Sequence, residues 1–114
     1  MDKTRVVNVK TDEFDVYIGR PARFAKDPRC HEYSHFANPY AITKELIAKL
    51  GEEKARAHVI EQFRQHLLKC LEDDVATWIP RLRAVKGKRL GCWCSPQKCH
   101  GDVVAEFADL QVET

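Results

Sequence analysis

The sequence predicts an α/β domain: a short central sheet with flanking helices, in two or three layers, with a Cys-His loop between the last core strand and a C-terminal helix. Three observations carry this expectation. β-Branched and aromatic runs open the chain, an apolar helical repeat fills its middle, and a strand-loop-helix pattern dense in cysteine closes it. The length of 114 residues predicts one domain over 1–114, large enough to bury a core and too small for two.

"TRVVNVK" and "FDVYIG", separated by the polar turn "TDE", predict a hairpin or two adjacent strands over residues 4–10 and 14–18. Residues 5–9, 14–18 and 89–93 form the expected core sheet, with the helix over 55–71 across one face. From Gly19 to Tyr40 no period is visible and three prolines interrupt the chain, so this long loop is functional or mobile by expectation. Thr43 is placed to cap a short helix that Gly51 ends. A second helix follows from about Glu53 to Glu72, where Val59, Ile60, Phe63, Leu67, Cys70 and Leu71 recur at three- and four-residue spacing and make one buried face. "DVATWIPRLRAV" reads as a further helix with Asp74 as cap, Trp78 and Leu82 inward, and a break or kink at Pro80. After the turn "KGK", "RLGCWC" reads as a strand and "DVVAEFADL" as a closing helix with Val103, Val104, Phe107 and Leu110 inward.

Nineteen basic against 17 acidic side chains give a formal charge of +2, too small for a global field that would attract a polyanion. No apolar run approaches a membrane span, and "MDKTRVVNVK" lacks the apolar core of a signal peptide; a cytoplasmic location and no membrane partner are expected. In that reducing setting the five cysteines read as metal ligands or reactive thiols before they read as disulfides. Cys30 and Cys70 stand apart, Cys70 as a small core residue.

The other three fall together in "GCWCSPQKCHGD". On a strand Cys92 and Cys94 project to the same face with Trp93 opposite, and the "SPQK" loop returns Cys99 and His100 to a helix start. Three readings are open. Cys92, Cys94, Cys99 and His100 match the ligand count of tetrahedral zinc, although adjacent Cys99 and His100 chelate one ion only with strain. Alternatively Cys94 or Cys99 is a thiolate at a helix N-terminus, acidified by the dipole, by His100 and by Lys98. The third reading is plain burial of the thiols.

"VVNVK…DVYIGRPARF…SHFANPY…KRLGCWCSPQKCHGDVVAEFA" resembles the domain-of-unknown-function 4326 family of bacteria and their phages, over nearly the whole chain. The ending is also similar to that of another uncharacterised family with a "CxCxxPxxCHR" signature on a small α/β domain. The resemblance implies no established activity. It groups Tyr17, Gly19, Arg20, Pro21, Asn38 and Pro39 in one motif, and Cys92, Trp93, Cys94, Pro96, Cys99, His100, Gly101 and Asp102 in another. The chain departs from the shorter family pattern by carrying "FAKDPRCHEYSH"; Cys30, His31 and His35 there are either extra metal ligands or a variable surface loop.

Arg20, between Gly19 and Pro21 at a strand tip, is placed to hold a phosphate or carboxylate; its alternative is a surface ion pair. Asn38 either braces a loop by Asx-type bonding or reads a base edge. Asp102 complements the dipole of the last helix or caps it, and His58 and His66 are solvated. The leading expectation is a domain that binds a nucleotide, nucleobase or other phosphate-bearing ligand at the carboxyl ends of its strands. Tyr17, Gly19, Arg20, Asn38, Gly101 and Asp102 would contact the ligand, and Cys94, Cys99 and His100 would supply any catalysis. The alternative, from another class, is a zinc-stabilised module that contacts nucleic acid or protein, with Cys92, Cys94, Cys99 and His100 on the metal.

Overall fold

The computed structural model describes residues 3–95 and 97–111. Three strands, β1 (Arg5–Asn8), β2 (Val16–Tyr17) and β3 (Arg89–Cys92), carry the site, together with four helices: α1 (Lys44–Leu50), α2 (Glu52–Asp73), α3 (Val75–Val85) and α4 (Gly101–Asp109). A single 3-10 turn, Pro28–His31, lies in the long loop. The protein is an α/β domain with a parallel sheet.

The sheet order is β1-β3-β2, with both outer strands parallel to β3. The first two strands are therefore neither a hairpin nor neighbours, as the sequence had suggested. The Val9–Asp15 connection instead crosses the face of β3. It passes at Gly91, where a Cβ would stand 2.7 Å from Phe14 Cγ and 2.8 Å from Val9 Cγ1, so only glycine lets the chain cross that closely. Asp15 then fastens the crossing to the start of β3: its carboxylate accepts from the Arg89 backbone N–H at 2.8 Å and from the guanidinium at 3.0 and 3.2 Å. Those bonds hold the Asp15 carboxyl well below the usual carboxylate range.

Side-chain alternation divides the sheet into two faces. Val6, Val16, Ile18, Leu90, Cys92 and Cys94 join Phe63 and Leu67 of α2, Leu82 and Val85 of α3, and Val103, Val104 and Phe107 of α4. Val7, Tyr17 and Trp93 point the other way and pack with Phe14 and the buried Cys30. Helices cover one face and irregular chain covers the other, which makes the arrangement two-layered.

Local chemistry sets the helix boundaries. Thr43 Oγ1 accepts from the Leu46 N–H at 3.1 Å and caps α1, and Gly51 ends it at φ +82°. On α2 the buried face is Ala55, Val59, Phe63 and Leu67, with Ile60, Cys70 and Leu71 at its half-buried margin. Four expectations need correction. Asp74 makes no side-chain cap; its backbone N–H instead closes α2 on the Cys70 carbonyl at 2.9 Å. Pro80 does not break α3, which runs on to Val85 with one backbone donor missing. Leu110 lies past the end of α4 and is 71 % exposed, because Ala108 completes the inward face two residues earlier. His66 is half-buried between Tyr40 and Phe63 rather than solvated. None of the helices in the described residues is long and apolar enough to cross a membrane.

Candidate functional site

Chain leaving the carboxyl ends of β2 and β3 borders one cleft of about 420 Å³. The residues after β2 supply Gly19, Arg20, Pro21 and Phe24, the β3 loop supplies Trp93, Cys94, Lys98, Cys99 and His100, and α2 adds Arg56, Val59 and Ile60. This is the crevice where open parallel sheets collect ligands, since backbone N–H groups and loop side chains converge there. Three cations, Arg20, Arg56 and Lys98, face the space, and among the described residues that line it there is no carboxylate.

The cysteine loop forms the inner wall. The Sγ atoms of Cys92, Cys94 and Cys99 all lie within 4.8 Å of one another, and those of Cys92 and Cys99 are 2.7 Å apart. Cys92 and Cys99 are buried, whereas Cys94 is half-buried. The three thiols share their charge unequally. Cys94 is pulled far below the ordinary thiol range by the S–H groups of Cys92 and Cys99 and by the Arg56 guanidinium, against the opposing effect of burial. Cys92 and Cys99 are pushed up, because each keeps its proton to donate within the cluster. The lone Cys30 and Cys70 are raised by burial, first of all, and have no such partners.

His100 stands behind this wall. Its Nε2 lies 3.0 Å from the Ile18 carbonyl, which can only accept, so the Nε2 carries the proton and Nδ1 is left bare 3.5 Å from Cys99 Sγ. Burial lowers its pKa below the usual histidine value and keeps the ring neutral. Phe63 closes the other side, edge-on at 4.9 Å.

Four anchors hold the loop in place. Asn8, at the end of β1, donates from Nδ2 to the Ser95 carbonyl at 2.7 Å and to the Trp93 carbonyl at 3.4 Å. Asp102 accepts from the Cys99 backbone N–H at 3.1 Å while Cys99 Sγ accepts from the Gly101 N–H at 3.3 Å. Cys99 and Asp102 thus make a reciprocal pair like a capping box, with sulfur in the place of a hydroxyl and accepting from the Gly101 N–H, one residue short of the usual donor. The third anchor is Trp93, whose Nε1 donates to the Tyr17 hydroxyl at 2.8 Å; that hydroxyl in turn donates to the Arg20 carbonyl. Gly101 is the fourth, since a Cβ there would meet Ile18 Cδ1 at 2.5 Å and Val6 Cγ2 at 2.8 Å, and its absence brings α4 onto the sheet.

Of the residues singled out in the sequence, Gly19, Arg20, Asn38, Cys92, Cys94, Cys99 and His100 meet at the cleft. Tyr17, Gly101 and Asp102 do not line it; they brace the elements that do. Asn38 is engaged at both ends of its amide: Oδ1 accepts from the Tyr40 N–H at 2.9 Å and Nδ2 donates to the Val59 carbonyl at 3.4 Å. Its backbone carbonyl accepts from Arg20 Nε at 2.9 Å and fixes that guanidinium at the cleft wall. The four-ligand set for zinc is reduced to three, since His100 stands outside the cysteine group. His31 is turned to the Ala25 carbonyl at 2.7 Å, and Cys30 is buried beneath the far face of the sheet, so neither reaches the cysteines. Sequence reasoning missed Arg56, Phe24 and Asn8. Arg56 had left a signal: it lies three residues before Val59 and so puts a charge on the apolar face of α2.

A family model described as "Domain of unknown function (DUF4326)" matches residues 2–110. The "Uncharacterized 12.4 kDa protein in nrdA-td intergenic region" of Enterobacteria phage T4 is 34% identical over 115 residues, covering 96% of this chain and 86% of that protein. No solved structure matches. The family match spans the whole sheet, the cleft and the cysteine loop, and the chain belongs to the domain-of-unknown-function 4326 family.

Proposed function

We propose that the cleft binds a small phosphate-bearing ligand of the nucleotide class. The observation that carries this reading is the charge of the lining: Arg20, Arg56 and Lys98 meet there with no opposing carboxylate among the described residues. Three cations around one space face no carboxylate and at most the single charge of the Cys94 sulfur, and an anion relieves the repulsion that remains. Arg20 suits a phosphate by its planar fork, and its Nε bond to Asn38 orients it before any ligand arrives. Phe24, 82 % exposed, lies against Trp93 with ring centroids 5.4 Å apart, which supplies an aromatic platform at the rim for a base. In an enzymatic version of this reading Cys94, the least buried of the three sulfurs at the cleft, is the reacting thiol, and His100 stands behind Cys99.

Titration calorimetry of the full chain with inorganic phosphate, adenosine and adenosine monophosphate tests the proposal. Adenosine monophosphate is expected to bind more tightly than either fragment. Arg20→Ala is expected to weaken it by roughly ten- to a hundredfold, the loss of one or two charge-assisted hydrogen bonds. Because Arg20 is exposed, the melting temperature should stay within about 2 °C of the parent. Silence with every phosphate-bearing probe, or an Arg20→Ala variant that binds as well as the parent, would overturn the reading.

A further inference from the structure

We propose that Cys92, Cys94 and Cys99 hold one zinc ion, and that its fourth coordination position opens into the cleft. Zinc takes thiolate sulfur at about 2.3 Å in a tetrahedron, which spaces its ligand atoms by about 3.8 Å. Three Sγ atoms within 4.8 Å of one another fall in the range from which small side-chain rotations complete such a site. Cys92 and Cys99, now 2.7 Å apart, would spread by about 1 Å to admit the ion.

The surroundings are those of a prepared ligand set. The Gly101 N–H points at Cys99 Sγ, and the Arg56 guanidinium lines the same cleft as Cys94, both donors that favour thiolate sulfur. Asn8 and the Cys99–Asp102 pair hold the loop from two sides, so the three sulfurs are positioned by backbone contacts that do not involve each other. The strain foreseen in using adjacent Cys99 and His100 does not arise. His100 donates from Nε2 to the Ile18 carbonyl and stands outside the group, which leaves a three-sulfur set.

A structural zinc site is closed by four protein ligands, whereas a site with three keeps one position for water or substrate. All three cysteines line the cleft, so the vacant position faces the same space as Arg20 and Arg56. On binding, the ion displaces the remaining thiol protons to solvent, and three thiolates leave the centre with one net negative charge. That charge is balanced by Arg56. The ligand class at the fourth position is an oxygen donor, and its identity as a phosphate oxygen rests on the function proposed above.

The full chain, reduced and titrated with Co²⁺, decides this. One equivalent should saturate a sulfur-to-cobalt charge-transfer band together with the intense visible bands of a four-coordinate site, and Zn²⁺ should abolish both. Azide should shift the visible bands, because it replaces water at the open position. His100→Gln should leave the charge-transfer band at parental intensity, while Cys94→Ser should lower it by about a third, one sulfur in three. Should Cys94→Ser fail to fold, the azide shift and the His100→Gln spectrum still decide.

Absence of the band in folded, reduced protein would overturn the proposal, as would a Cys92–Cys99 disulfide that forms in air equally fast with and without the metal. An azide-insensitive spectrum that changes in His100→Gln would reveal a closed Cys3His site and overturn the open position. Cobalt binding without any adenosine monophosphate heat would sink the nucleotide reading and leave the metal site standing. Heat without cobalt binding would do the reverse.

Discussion

The two faces of the sheet are built by different means. On one, α2, α3 and α4 lay regular apolar stripes over Val6, Val16, Ile18, Leu90 and Cys92. On the other, the Val9–Asp15 crossing and the long loop cover Val7, Tyr17, Gly91 and Trp93 with Phe14 and Cys30. The second cover is held by single polar bonds: Arg29 Nη1 to the Phe14 carbonyl at 2.9 Å, the Tyr17 hydroxyl to Arg20, and His31 to Ala25. A helix-covered face is stabilised by area, and a loop-covered face by close fit at a few points. The cleft opens where the two covers meet, with Arg56 from the helical side and Arg20 from the loop side.

If that contrast is right, the largest single loss of stability comes from the helical face. Phe63 is 2 % exposed, belongs to the main cluster and backs His100, so Phe63→Ala should cost about 3–5 kcal/mol, read as a lower urea midpoint at unchanged slope. Ligand and metal affinity should fall in the same variant, since the wall behind the cysteines loses its support. A loss below about 1 kcal/mol would mean that the helical face is not the principal source of stability.

These differences also decide what was legible in the sequence. The α2 stripe was readable because 3.6-residue periodicity over 22 residues leaves few alternatives. Sheet order was not, because the strands have two to four residues and their parallel pairing is set by contacts some 80 residues apart in sequence. Arg20, Asn38 and the cysteines could be placed at one site from strand-loop logic. Tyr17 was misplaced toward the ligand through its closeness to Arg20, although the period of two along Val16, Tyr17 and Ile18 already turns it to the opposite face. Asp102 was readable as a cap or dipole partner, but its pairing with Cys99 was hidden for a chemical reason: cysteine is not among the usual cap residues, and its sulfur serves here as a weak acceptor.

The loop-covered face is broken most directly at Gly91. An added methyl meets the ring of Phe14 and the side chain of Val9, neither of which is the loose end of a flexible chain. Gly91→Ala should therefore cost about 1–3 kcal/mol through overpacking, despite alanine's smaller loss of backbone freedom on folding. Gly91→Ala with Phe14→Leu should recover part of the loss, whereas the same Phe14→Leu change alone should not stabilise. Additive effects of the two changes, measured as a double-mutant cycle, would show that the crossing does not press on Gly91.

The smallest expected effect sharpens the comparison at the exposed edge where the crossing is tied to β3. Arg89, first through its side chain and then through its backbone N–H, depresses the Asp15 carboxyl in the folded protein. A depressed acid contributes stability in full above its unfolded value near 4, and loses it as the pH falls from there through the folded value. Asp15→Asn should thus be slightly less stable than the parent at pH 7, and the two urea midpoints should converge progressively as the pH is lowered from about 4 toward 2. Salt should narrow the gap at neutral pH, because Asp15 and Arg89 are partly solvent-exposed and their attraction is screened. A gap that persists unchanged into acid would place Asp15's contribution in the shape of its hydrogen bonds, which asparagine then fails to copy, and not in its charge.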